Sequence, residues 1–283
     1  MENPLNGHVV KPKKHRGLFI SFEGGDGAGK STQIFRLSMW LKKLGYSVVL
    51  TREPGGTDIG AELRRIVLTG GYVDARAEAL IYAGDRAQHV TELIMPALTE
   101  GKIVLVDRYL DSSIAYQGAA RDLGKEEIFN LSLWATDGLM PDATFLLDVS
   151  VATGMKRVGD QGDRIEVAGQ RFHERVRQEY LELADDYPER IQVINAERHP
   201  DDVEQEIRAT VETLLEQFKD RVTKSSDPIA ELGEAAVQQI RAREAREKAQ
   251  AEQRAQAEQE AQAEEETQAE QDELDEQGTQ DQK

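Results

Sequence analysis

Within the stretch FISFEGGDGAGKST (residues 19–32), Gly24, Gly29, Lys30 and Ser31 stand at the spacing G-x-x-x-x-G-K-[ST]. That spacing suits the binding of a polyphosphate. Glycines let successive backbone N–H groups turn inward around an anion, where a Cβ would intrude. A helix starting near Lys30 would add unpaired N–H groups and the positive end of its dipole. The candidate nucleotide loop therefore comprises Gly24, Gly25, Asp26, Gly27, Ala28, Gly29, Lys30, Ser31 and Thr32. Lys30 would reach the β- and γ-phosphates of a nucleotide, and the Ser31 hydroxyl would ligate Mg2+. The turn also has the flanks that the motif requires, an apolar β-branched and aromatic run before it and a helical pattern after it.

Such a loop needs a scaffold, and the sequence supplies a regular one. Short, nearly continuous apolar runs recur at 18–22, 47–50, 103–106, 144–147 and 191–194, as expected of strands covered on both faces. Between them lie helical stripes. Ile34, Leu37, Leu41 and Leu44 end at Gly45; Ile59, Leu63, Ile66 and Val67 end at Gly70 and Gly71; Val203, Ile207, Val211, Leu214 and Phe218 form the last. The alternation predicts an α/β fold of the P-loop type, a five-stranded parallel sheet flanked by helices. In such sheets ligands sit beyond the carboxyl ends of the strands. The residues following those ends are TREPGGT (51–57), Asp107-Arg108-Tyr109 with SSIAYQG (112–118), and Asp148 followed by Lys156 and Arg157. Four of the five strand ends thus bring Arg or Lys to one rim, which points to anionic ligands. Asp107, ending the third strand, is placed to hold Mg2+ or its waters.

Composition removes other classes. The chain has 283 residues and no cysteine, which excludes disulfides and thiolate metal sites and fits a reducing cytosol, hence a cytoplasmic location. No apolar run approaches the roughly 20 residues of a membrane span, and the start of the chain has no apolar signal segment. Of the net charge of −18, residues 225–283 contribute 17 acidic against 6 basic groups. A chain this acidic is a poor match for a nucleic acid polymer, which needs clustered Lys and Arg. Residues 249–272 repeat AQAEQR, AQAEQE, AQAEEE, TQAEQD, and a period of six leaves no fixed apolar seam along a helix. The expected organisation is a basic leader (1–16), a P-loop domain (17–222) and an acidic tail (223–283), the tail a solvated single helix or disordered.

The segments FEGGDGAGKST, TREPGGT, YAGDRAQH, VDRYLDSSIAYQG and DRIE occur in an order and spacing that resembles the thymidylate kinase family. The resemblance covers roughly residues 17–222. It implies transfer of the ATP γ-phosphoryl group to dTMP, Mg2+ as cofactor and a homodimer. It further implies that Arg108 and Arg52 hold the dTMP phosphate and that Arg86 and Gln88 meet the thymine, on which Tyr82 stacks. Tyr116, with Gln117 beside it, would pack against the deoxyribose C2′, and Asp26 would meet the 3′-OH. Read by themselves, Gln88 and His89 suit a solvated helix face. Family members without a basic residue at the position of Gly27 usually carry an arginine-rich lid. Here the lid runs Lys156-Arg157-Val158-Gly159-Asp160-Gln161-Gly162-Asp163-Arg164, so the transition-state cation would be Arg157 or Arg164, with Arg164 favoured by its place in DRIE. The glycines would let this lid move and close over ATP. Two other readings are a kinase for a different nucleoside monophosphate or deoxynucleoside, and a non-catalytic nucleotide-dependent scaffold. A guanine-reading N-K-x-D motif is absent from the sequence.

Overall fold

The apolar runs become strands in the computed structural model, which describes residues 17–158, 169–220 and 222. β1 is Leu18–Glu23, β2 Val48–Arg52, β3 Ile103–Asp107, β4 Ala143–Asp148 and β5 Ile191–Asn195. They form one five-stranded sheet in the order β2-β3-β1-β4-β5, and every pairing is parallel. β1 is central and wholly buried. Successive side chains of a strand point to opposite faces, so two cores form. Leu18, Ile20 and Phe22 join Ile103, Leu105, Phe145 and Leu147 on one face, while Phe19 joins Val104, Val106 and Leu146 on the other.

Helices α1 (Lys30–Lys43) and α9 (Pro200–Phe218) cover the first face with Ile34, Leu37, Leu41, Val203, Ile207 and Val211. The connection after β2 holds α2 (Asp58–Thr69) and α3 (Ala75–His89); the latter continues through a π-helical turn, Val90–Ile94, into α4 (Met95–Thr99). After β3 come α5 (Leu110–Ser113), a second π-helical stretch, Ile114–Ala120, and α6 (Lys125–Thr136). α7 (Val151–Val158) follows β4, and α8 (Gln170–Asp186) leads to β5. Ala79, Ile94, Leu98, Ile114, Ile128, Val176, Tyr180 and Leu183 from these segments close the second face.

One expected stripe behaves differently. In α2 only Gly60 and Val67 are buried, and Ile59 and Ile66 face solvent in the single chain. Among the described residues no helix is long and apolar enough to cross a membrane. The leader, the tail and most of the lid, including Arg164, lie outside the described residues.

Candidate active site

β1 delivers its last residue, Glu23, directly to the phosphate loop, and α1 begins at Lys30 with Gly29 as its N-cap at φ 89°. Backbone contacts, more than open space, demand two of the glycines. At Gly24 (φ 130°) a Cβ would lie 2.3 Å from the Leu147 carbonyl oxygen, and at Gly27 (φ 73°) 2.3 Å from that of Gly154 in α7. This contact explains why no basic side chain stands at Gly27. The Lys30 ammonium donates to the Gly24 and Gly25 carbonyls at 3.0 and 2.9 Å. Burial, reinforced by the nearby Arg108 charge, lowers its pKa to about 8 against the pull of Asp107, Asp26 and Glu23. Ser31 Oγ donates to Asp107 Oδ2 at 2.9 Å, which joins the two expected metal residues.

Arg108 follows β3 in the left-handed region (φ 68°). Its Nη1 donates to Gly24 O at 3.0 Å, to Ser112 Oγ at 3.2 Å and to the Tyr180 hydroxyl at 3.2 Å. Its Nη2 donates to Asp26 Oδ1 at 2.5 Å. Tyr116, on the second π-helical stretch, donates its hydroxyl to Asp26 Oδ2 at 3.2 Å and lays its ring 5.1 Å from the Arg108 guanidinium. Phe172 and Tyr180 of α8 pack edge-on against that ring. Burial works to raise the Asp26 pKa, but Arg108, Lys30, His173 and the Tyr116 hydrogen bond outweigh it and leave the carboxyl below its ordinary value. Asp26, Arg108 and Tyr116 are therefore brought together with the phosphate loop.

Glu23 belongs to this group, although the motif assigns it nothing. It accepts from the Tyr109 N–H at 2.7 Å, from Ser112 Oγ at 2.6 Å and from the Tyr180 hydroxyl at 3.0 Å. Burial first, and Asp111 second, push its pKa up to about 7. Behind it Arg190 makes a two-pronged pair with Asp111 at 2.6 and 2.8 Å. Tyr180 and His173 come from α8, which carries no motif; His173 Nδ1 lies 4.0 Å from Asp26 Oδ2.

The remaining expected residues divide. Arg52 ends β2 in register with Asp107, one strand away from Arg108. Tyr82 and Arg86 are one turn apart on α3, but Arg86 is 1 % exposed and works as an internal hub. It donates to Glu53 (2.7 Å), Ser132 (3.1 Å), Ser113 (3.0 Å) and the Tyr109 carbonyl (3.3 Å). Two expectations are corrected. Gln88 donates to Glu92 at 2.7 Å in an exposed pair, because two residues along a helix turn about 200° away from Arg86. His89, expected on a solvated face, is fully buried against Glu53 and Thr51. Gln117 turns to Glu78 at 2.9 Å within the core. Arg157 donates to the backbone carbonyls of Gly27 and Ala196, each at 3.2 Å.

A phosphate loop after the central strand of a parallel 2-3-1-4-5 sheet, with cations from neighbouring strand ends turned toward it, defines a P-loop phosphotransferase. The family model described as Thymidylate kinase matches residues 22–207. The chain is 52 % identical over 205 residues to the thymidylate kinase of Leifsonia xyli subsp. xyli, covering 71 % of this chain and 97 % of that one. It is 48 % identical over 206 residues to the thymidylate kinase of Halothermothrix orenii, covering 71 % and 99 %. The crystal structure of thymidylate kinase from Ehrlichia chaffeensis superimposes with a TM-score of 0.58 at 33 % identity, over 69 % of this chain and 98 % of that one. The chain belongs to the thymidylate kinase family, and it is an ATP-using enzyme that converts dTMP to dTDP.

Proposed function

We propose that Lys30 and Arg108, which converge on the Gly24 carbonyl, exchange that oxygen for phosphate oxygens when the nucleotides bind, Lys30 on the ATP side and Arg108 on the dTMP side. The convergence is the observation that carries the reading: two cations from different strand ends share one carbonyl, each at 3.0 Å. Arg52 is the second grip on the acceptor phosphate, since guanidinium forks match phosphate oxygens. The acceptor phosphate has its second pKa near about 6 and is mostly dianionic at neutral pH. It therefore attacks without a strong base, and the work of the protein is positioning and neutralising two polyanions. Asp26, held by Arg108 and Tyr116, keeps lone pairs for the sugar 3′-OH. Tyr116 closes the space a 2′-OH would need, and Tyr82 stacks on the base.

Ser31 and Asp107 offer one hydroxyl and one carboxylate side by side, an all-oxygen donor set suited to Mg2+, which keeps its waters and takes the rest of its shell from phosphates. When bound there, the ion would neutralise charge on the β- and γ-phosphates. The lid cation is Arg164 or Arg157, Arg164 being favoured by its motif, while Arg157 is occupied with backbone carbonyls. We also propose a homodimer formed through α2, α3 and α6, whose outer faces expose Ile59, Leu80 and Trp134. Residues 17–222 are proposed as the catalytic domain, flanked by a leader and an acidic tail in a cytoplasmic enzyme. Arg108→Ala tests the convergence: kcat/KM for dTMP should fall on the order of 10²–10³-fold. A fall of less than about threefold would remove Arg108 from the transfer.

A further inference from the structure

Beneath the acceptor side lies a buried cluster that the transfer itself does not use. His89 Nδ1 hydrogen-bonds Glu53 Oε1 at 2.9 Å, and its Nε2 meets Thr51 Oγ1 at 2.6 Å. The imidazole thus holds both chain neighbours of Arg52. The other Glu53 oxygen accepts from Arg86 Nε at 2.7 Å, and Arg86 Nη2 continues to the Tyr109 carbonyl, next in the chain to Arg108, and to Ser113. One turn before His89 on the same helix, Asp85 Oδ1 accepts the Gly55 N–H at 3.0 Å. Glycines make these approaches possible. A Cβ on Gly56 would lie 2.4 Å from His89 Nε2, and one on Gly60 2.4 Å from Asp85 Oδ1.

A continuous chain of hydrogen bonds, part-buried at Thr51 and buried beyond it, therefore runs Thr51–His89–Glu53–Arg86–Tyr109, with one phosphate-gripping arginine next to each end. We infer that His89 is a positioning residue that, with Arg86, sets the separation and aim of Arg52 and Arg108, so that the pair fits one phosphate. The inference rests on the reading that these two arginines hold the dTMP phosphate. Its physical basis is rigidity. Guanidinium groups on loops gain their advantage only when the backbone carrying them is fixed. Here the end of β2 and the loop that follows it, residues 51–57, are held by α3, a helix whose residues 82, 85, 86 and 89 share one face.

A merely structural His89 and a positioning His89 differ in what they do to ligands. Thymidine has the base and sugar of dTMP but no phosphate, so it does not sample the spacing of the arginines. In the full chain, His89→Ala and the shape-conserving Thr51→Val should each weaken dTMP binding, by about tenfold for His89→Ala, with thymidine binding changed less than about twofold. His89→Asn, which replaces Nδ1 toward Glu53, should recover part of the loss, and Gly56→Ala should reproduce it. Equal losses for dTMP and thymidine, or no loss in either variant, would overturn the inference. Arg52→Ala measured alongside separates the two levels. If Arg52→Ala weakens dTMP and the His89 and Thr51 variants do not, the positioning claim alone fails. If Arg52→Ala leaves the dTMP-to-thymidine ratio unchanged, the underlying site reading fails with it.

Discussion

Burial pushes two neighbouring charges of the site in opposite directions. Glu23 is moved up to about 7 and Lys30 down to about 8. The Ser112 hydroxyl, the Arg108 charge and the Tyr109 N–H act against the upward push on Glu23, and the Ser112 and Tyr180 hydroxyls that donate to it also accept from Arg108. The lysine has a consequence for binding. A polyphosphate beside the ammonium favours its charged form, so the pKa in the complex lies above the free value. Affinity for the nucleotide is then full below the free pKa and declines as pH rises through about 8. Calorimetry with a non-hydrolysable ATP analogue, in buffers of different ionisation heat, should show proton uptake that grows as pH rises from about 7 toward the free pKa. Uptake that stays at zero across that range would mean that Lys30 is fully charged in the free enzyme.

At the scale of elements, α7 meets the phosphate loop backbone to backbone at Gly27 and Gly154. The Cβ positions of Gly27 and Gly154 each point at the other segment's backbone, Gly27 toward the Gly154 carbonyl at 2.3 Å and Gly154 toward the Asp26 carbonyl at 2.4 Å. Backbone cannot step aside as a flexible side chain would. Gly154→Ala should therefore move α7 or the loop, lowering stability by about 1–3 kcal/mol and weakening both nucleotides, since Asp26 and Arg108 sit on the same loop contact. Wild-type melting temperature and wild-type KM values in that variant would show that the approach is not tight. This contact is also an example of what the sequence conceals. The strands were legible, with ends within two residues, because strands buried on both faces read as unbroken apolar runs. The phosphate loop was legible because its spacing is itself the chemistry, and Asp107 and Arg108 stood out by their place at a strand end. Gly154, Glu23 and Tyr180 were not, because each acquires its role only from a partner 68 to 157 positions away or from backbone crossing it in space. His89 was within reach: the period of a helix separates the face of 82, 85, 86 and 89 from that of 88.

The whole molecule raises the question of what covers the outer side of α2, α3 and α6. Ile59 is 55 % exposed, Leu80 61 % and Trp134 81 %, and these helices pack side by side in sequence order of contact, α2 on α3 and α3 on α6. Isolated exposed apolar residues are ordinary, but an indole and two long aliphatic chains on adjacent helices form the kind of patch that marks an interface. A Trp buried there contributes about 150–250 Å² of contact, and a stable interface needs at least about 1,000 Å². The face is the reverse side of α3, whose inner side carries Tyr82, Asp85, Arg86 and His89, so a partner pressed against it would hold the acceptor side from behind. A second copy of the chain, meeting the first through this same patch about a two-fold axis, satisfies that arrangement. Sedimentation of the full chain should then report a dimer at micromolar concentration, and Leu80→Glu with Trp134→Glu should shift it to monomer while lowering the melting temperature. The melting temperature of the unaltered chain should also rise with protein concentration, as it must when folding and association are linked. A wild-type chain that sediments as a monomer would leave the patch without this occupant, and a doubly substituted chain that stays dimeric would place the interface on another face.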